Sequence, residues 1–108
     1  RKILKNKIIG ITCHNSIKLV DKALNNGANY IAVGAFYKTK TKKVKFKAKT
    51  DILWKIKKIT NNPIVAIGGI NEKNYKKLLL NKANFLAISG YIWKNKKLRP
   101  KNAIKKLI

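Results

Sequence analysis

The chain is poor in acids, cysteine, arginine and methionine. Asp21, Asp51 and Glu72 are the only carboxylates. Paired acid/base chemistry needs two tuned groups, and a hard cation such as Mg2+ needs several oxygen ligands. The chain therefore offers neither a carboxylate dyad nor a set of metal ligands. Cys13 is the one cysteine, which excludes an internal disulfide framework and fits a reducing compartment. No stretch approaches the roughly 18 consecutive apolar residues of a membrane span, and no secretory pattern opens the sequence. A cytoplasmic protein without a membrane partner is the expectation. Methionine is absent and the sequence opens at Arg1, so it is expected to be a piece of a longer translated product.

What is abundant is lysine. The 27 basic residues against 3 acids give a formal charge of +24, a balance that ordinarily points to nucleic acid or an anionic surface. Only Arg1 and Arg99 carry the guanidinium fork that base-edge and bidentate phosphate recognition favours. Isoleucine and asparagine are plentiful too, and all three residue types have A/T-rich codons. Composition bias thus accounts for the lysines without a nucleic-acid partner. They are also spread among apolar positions, as on solvated helix faces.

Four apolar runs recur: 8–12 (IIGIT), 30–34 (YIAVG), 64–68 (IVAIG) and 85–89 (FLAIS). Nearly continuous hydrophobicity is what strands of a parallel sheet show when both faces are buried. Helical patterns alternate with them. One covers 17–26, capped by Asn15 or Ser16 and stopped by Gly27. A second covers 52–60, capped by Thr50 or Asp51. A third starts after Asn71, and a last one starts near residue 102. Residues 1–6 read as the tail of a preceding helix. This alternation predicts an α/β fold made of strand-helix units, one domain over 1–108. A complete eight-unit barrel takes roughly 200 residues or more, so four units make half of one. An open flavodoxin-like sheet is the competing architecture.

The loops favour the barrel. Its chemistry sits where strands end, with phosphate held by the loops after the last two strands. Here those loops carry Gly68-Gly69-Ile70-Asn71 and Ser89-Gly90-Tyr91. Glycines let backbone N–H groups approach an anion, and a following helix adds its dipole. The loop after the second run holds Thr39-Lys40-Thr41-Lys42-Lys43. It is either a set of hydroxyl and ammonium donors for an oxygen-rich anion or a solvated lysine loop. His14 is either a general acid/base or a polar loop residue. Cys13 lacks a convincing activator. Phe36, Trp54, Phe85 and Trp93 read as packing residues.

In order along the chain, residues 9–16 (IGITCHNS), 27–42 (GANYIAVGAFYKTKTK), 66–70 (AIGGI) and 87–89 (AIS) resemble the thiamine phosphate synthase family, in its C-terminal half. The resemblance implies a partial TIM (β/α)8 barrel, its last four strand-helix units. It also implies a transferase that joins a hydroxymethylpyrimidine diphosphate to a thiazole phosphate, giving thiamine phosphate and diphosphate. By motif position, Thr12 would contact the diphosphate and Lys42 would neutralise it as the catalytic residue. Thr39, Lys40 and Thr41 would contact the thiazole phosphate, and Gly69, Ile88 and Ser89 would form a backbone cradle for its phosphate. Mg2+ is implied as cofactor, with ligands in the other half of the barrel. Lys38 stands where the family often has proline, and Thr12 where serine is frequent. The alternatives are a thiazole tautomerase of the same fold using His14, and a cationic binding module.

Overall fold

The apolar runs become a single parallel sheet, and the computed structural model shows how the helices cover it over residues 6–37 and 48–108. The strands are β1 (Gly10–Thr12), β2 (Tyr30–Val33), β3 (Ile64–Ala66) and β4 (Phe85–Leu86), ordered β1-β2-β3-β4. Each neighbouring pair is parallel, with Thr12 opposite Ala32, Ala32 opposite Val65 and Val65 opposite Phe85. The helices are α1 (Ile17–Asn25), α2 (Asp51–Ile59), α3 (Tyr75–Leu80), α4 (Gly90–Trp93) and α5 (Pro100–Lys105). Four consecutive units in unbroken strand order are the α/β architecture of a partial TIM-like barrel.

Because side chains alternate across a strand, the register sorts them into two faces. Ile31, Val33, Ile64 and Ala66 share one face and are fully buried. They cluster with Val20 and Ala23 of α1, Ile52, Leu53 and Ile56 of α2, and Leu78 of α3. The opposite face carries Thr12, Ala32, Val65 and Phe85. No helix covers it among the described residues: Thr12 is exposed, Val65 is half-buried and Phe85 is 59% exposed. Reading Phe85 as a packing residue therefore fails for these residues, and so does the same reading of Trp93, which is 74% exposed. Their apolar bulk registers in the sequence, but the surface they would meet is not supplied by the described chain. Phe36 is buried as expected, whereas Trp54 is exposed and donates its indole N–H to Asn81 at 2.9 Å.

Two helix ends are built alike. At the end of α1, Ala28 donates its N–H to Ala23 O and Gly27 donates to Leu24 O, while Asn26 caps Lys22 O through its amide. At the end of α3, Ala83 donates to Leu78 O, Lys82 donates to Leu79 O, and Asn81 caps Lys77 O. Both are Schellman closures, which need a left-handed residue just past the cap. Gly27 (φ 87°) provides it in one and Lys82 (φ 82°) in the other. An asparagine follows in each: Asn29 Oδ1 accepts the Ile9 N–H at 2.7 Å, and Asn84 Oδ1 accepts the Ile64 N–H at 3.0 Å. These side chains fasten the start of each new strand to the preceding one.

Of the two caps expected for α1, Ser16 is the one used, its Oγ accepting the Leu19 N–H at 3.2 Å. Other boundaries differ from expectation. Helix α3 starts at Tyr75 because residues 71–74 form a side-chain-bonded turn first. Helix α4 is one short turn without an amphipathic period long enough to announce itself. Helix α5 begins at Pro100, whose fixed φ suits a first helical position. Residues 1–5, most of the stretch read as a helix tail, lie outside the described residues.

Three outcomes follow. Gly27→Ala should lower stability by about 1 kcal/mol in urea unfolding, the cost of a left-handed L-residue. The open face and the unpaired edges of β1 and β4 should make the 108-residue chain self-associate in sedimentation velocity; a monodisperse monomer would contradict this. Cys13 is fully buried and its thiol is pushed up by that burial. Alkylation at pH 8 should therefore be at least about tenfold slower in the folded than in the urea-unfolded chain, since the thiolate is the nucleophile.

Candidate phosphate-binding loops

Parallel strands in unbroken order deliver all four following loops to one edge of the sheet. Backbone hydrogen bonds then join neighbouring loops. Cys13 donates to Ala32 O at 2.8 Å, Gly34 to His14 O at 3.2 Å, Ile67 to Val33 O at 2.9 Å and Ala87 to Ala66 O at 2.9 Å. Thr12 ends β1 with its side chain on the uncovered face and exposed. His14 follows at φ 51° and is exposed.

The turn after β3 is held most firmly. The Phe36 N–H donates to Ile67 O at 3.1 Å and the Tyr37 N–H to Gly68 O at 3.2 Å. Asn74 Nδ2 donates to Gly69 O at 3.0 Å. Three successive carbonyls are thus occupied from the protein side. A trans peptide is planar, so the carbonyl of one residue and the N–H of the next point in opposite directions. Fixing Gly68 O against Tyr37 therefore aims the Gly69 N–H away from Tyr37. Among the described residues, nothing accepts the N–H of Gly69, Ile70 or Ser89. Gly68 (φ 100°) and Gly69 (φ 64°) adopt the positive φ this turn requires. A Cβ on Gly68 would also collide with Ala35 Cβ and lie 3.1 Å from Phe36 N, so the close approach of the two loops depends on its absence.

Ala66 is the register partner of Leu86, which sets the Gly68-Gly69 turn beside Ile88 and Ser89. Ile88 is half-buried against the core and Ser89 is exposed at the start of α4. The helices after both loops are short, six and four residues, so the donors here are loop amides rather than a long helix dipole. Tyr91 bridges outward from the same region: its hydroxyl donates to Ala103 O at 2.9 Å. Burial, and then the Glu72 carboxylate beside it, push that phenol up. Burial also raises the Tyr37 phenol, which reaches Asn74 O at 3.4 Å.

Of the residues expected to act, Thr12 ends β1 while Gly69, Ile88 and Ser89 lie in the turns after the neighbouring strands β3 and β4, all at the same end of the sheet. Thr39, Lys40, Thr41 and Lys42 lie outside the described residues. Asn74 was not anticipated: its side chain makes no capping bond to α3 and instead bridges the turn before it. Among the described residues no group of three or more Asp, Glu, His or Cys side chains gathers to hold a metal. Asp51 pairs with Lys55 at 3.4 Å across one helical turn. These residues do not fit a Mg2+ site. Among the described residues no helix is long and apolar enough to cross a membrane.

Residues 1–92 match the family model for thiamine monophosphate synthase. The chain is 72% identical over 107 residues to the thiamine-phosphate synthase of Pelagibacter ubique, covering 99% of this chain and 52% of that protein. It is 42% identical over 85 residues to that of Nitrosomonas eutropha, covering 79% of this chain and 40% of that one. The solved thiamine phosphate pyrophosphorylase from Pyrococcus furiosus superposes with a TM-score of 0.82 at 26% identity, over 98% of this chain and 49% of its own. The chain therefore spans about half the length of the curated relatives it matches. Their names lend no support to the tautomerase reading through His14.

Gly68→Ala should cost at least about 1 to 2 kcal/mol in urea unfolding, since positive φ penalises a Cβ and the side chain also meets Ala35. A variant as stable as the parent would show that the two loops do not approach as described.

Proposed function

This chain belongs to the thiamine monophosphate synthase family, and on that premise we propose that residues 1–108 form the C-terminal half of a β/α-barrel transferase. Its substrates are a hydroxymethylpyrimidine diphosphate and a thiazole phosphate, and its products are thiamine phosphate and diphosphate. The observation that carries this reading is the Gly68-Gly69 turn, whose carbonyls are both engaged while the Gly69 N–H, in the turn beside Ile88 and Ser89, has no acceptor among the described residues.

The reaction breaks the bond between the pyrimidine methylene carbon and a diphosphate oxygen, and the electron pair leaves with diphosphate. The thiazole nitrogen then forms the new carbon–nitrogen bond with its lone pair. Negative charge grows on the departing oxygens, so a fixed cation helps most as the bond breaks. Lys42 takes that role in this proposal, with Thr12 donating a hydroxyl to the same diphosphate. Thr39, Lys40 and Thr41 contact the thiazole phosphate. Amides of Gly69 and Ser89, with Ile88 between the strand and the loop, hold its phosphate and so present the ring nitrogen to the carbon. Mg2+ supplies charge neutralisation to a diphosphate when bound, and its ligands belong to the part of the barrel that these residues do not form. The +24 charge adds a general attraction for both anionic substrates.

The test uses a chimaera in which these 108 residues replace the matching stretch of the Pelagibacter ubique thiamine-phosphate synthase. The chimaera should form thiamine phosphate. Lys42→Ala should lower kcat about 100-fold, the scale for losing a preorganised electrostatic contact to a leaving group. Gly69→Val should raise the KM for thiazole phosphate about tenfold or more, because a branched side chain is disfavoured at φ 64° and crowds the amide. An inactive but folded chimaera would overturn the proposal, and unchanged kinetics in Lys42→Ala would remove that residue from it.

A further inference from the structure

We infer that Asn74 is a positioning residue for phosphate, acting by aiming the N–H of Ile70 beside that of Gly69. The inference rests on the reading of the Gly68-Gly69 turn as a phosphate cradle and adds to it a second amide donor and the group that orients it.

Both functional atoms of the Asn74 side chain are committed. Oδ1 accepts the N–H of Asn71 at 2.8 Å, and Nδ2 donates to Gly69 O at 3.0 Å. A backbone N–H can only donate and a carbonyl can only accept, so these two partners dictate which end of the amide faces which. The peptide between Gly69 and Ile70 is pinned at its carbonyl end by Nδ2. Planarity then turns the Ile70 N–H away from Asn74, and among the described residues nothing accepts it. The Ile70 side chain is 3% exposed and packed in the core, which prevents the residue from swinging out. Asn74 is itself tied at its backbone: its N–H donates to Asn71 O at 3.3 Å, and its carbonyl accepts the Tyr37 hydroxyl at 3.4 Å. Tyr37 in turn fixes Gly68 O, and through that peptide the Gly69 N–H.

Two adjacent amides are thus oriented by two linked residues, Gly69 by Tyr37 and Ile70 by Asn74. Amides fixed in advance bind an anion better than a loop that must be ordered on binding. The side chain this job needs is short and carries one donor and one acceptor. Aspartate keeps the shape and the acceptor for Asn71 N–H but has no donor for Gly69 O. It also places a negative charge against that carbonyl and near an anionic ligand.

The experiment compares Asn74→Asp, Asn74→Ala and Gly69→Val in the Pelagibacter ubique chimaera. It measures KM for each substrate, the inhibition constant of inorganic phosphate competing with thiazole phosphate, and the melting temperature. Both Asn74 variants should raise the thiazole phosphate KM and the phosphate inhibition constant by about tenfold or more, the scale of a lost charge-assisted hydrogen bond. The KM for the pyrimidine diphosphate should stay within about twofold, a split that general loosening of the fold would not produce. The isosteric aspartate guards against an alanine variant that fails to fold. Equal changes in both KM values would overturn the inference, as would an unchanged thiazole phosphate KM in Asn74→Asp while Gly69→Val is impaired. If Gly69→Val itself binds thiazole phosphate like the parent, the cradle reading fails and this inference falls with it.

Discussion

A parallel sheet has two faces to bury, and the described residues of this chain cover one. Ile31, Val33, Ile64 and Ala66 disappear beneath α1, α2 and α3, while the face holding Thr12, Val65 and Phe85 stays open. In a closed barrel that second face turns inward and is packed by side chains from all the strands. The rest of the structure depends on this constraint. It explains why large apolar residues such as Phe85 are exposed. Among the described residues β1 and β4 are likewise the unpaired edges of the sheet.

The same strand order concentrates the chemistry. Parallel strands all finish at one edge, so loops distant in sequence become neighbours there. The clearest product is the turn after β3, where Phe36, Tyr37 and Asn74 each engage one carbonyl of Ile67-Gly68-Gly69. Binding an anion through amides requires no charged side chain at the point of contact. That suits a chain whose many lysines are dispersed and whose three acids are kept apart. In the proposed reaction, an amide cradle would leave the electrostatic work on the leaving group to side chains such as Lys42 and to metal ligands outside these residues.

Some of this was legible along the chain. The apolar runs ending in small residues announced parallel strands, and Gly27 announced a helix stop, because burial on two faces and a left-handed closure each restrict residue type locally. The Gly68-Gly69 turn was recognisable for the same reason, because positive φ and the close approach of Ala35 exclude a side chain there. Thr12 ends β1, and Gly69, Ile88 and Ser89 lie in the turns that follow β3 and β4, at the same end of the sheet.

Other features depend on which groups meet once the chain is folded, some of them only a few residues apart, and residue type alone does not announce them. Lys82 completes a left-handed closure that composition alone would assign to glycine, because the surrounding hydrogen bonds of α3 hold it there. Phe85 and Trp93 look like core residues in sequence, yet what an apolar side chain packs against is settled only by which elements lie across from it. Asn74 reads as an ordinary polar residue until Gly69 O and Asn71 N–H are seen on either side of its amide. The sequence by itself determined the strand-helix alternation and where glycine must stand, since backbone sterics and hydrophobic periodicity act over a few residues. Only the tertiary structure decided which face stays open and which way the Gly69 and Ile70 amides point, because the open face and the Tyr37 contact come from segments that meet only on folding, and the Asn74 contacts come from a turn geometry that residue type alone leaves unset.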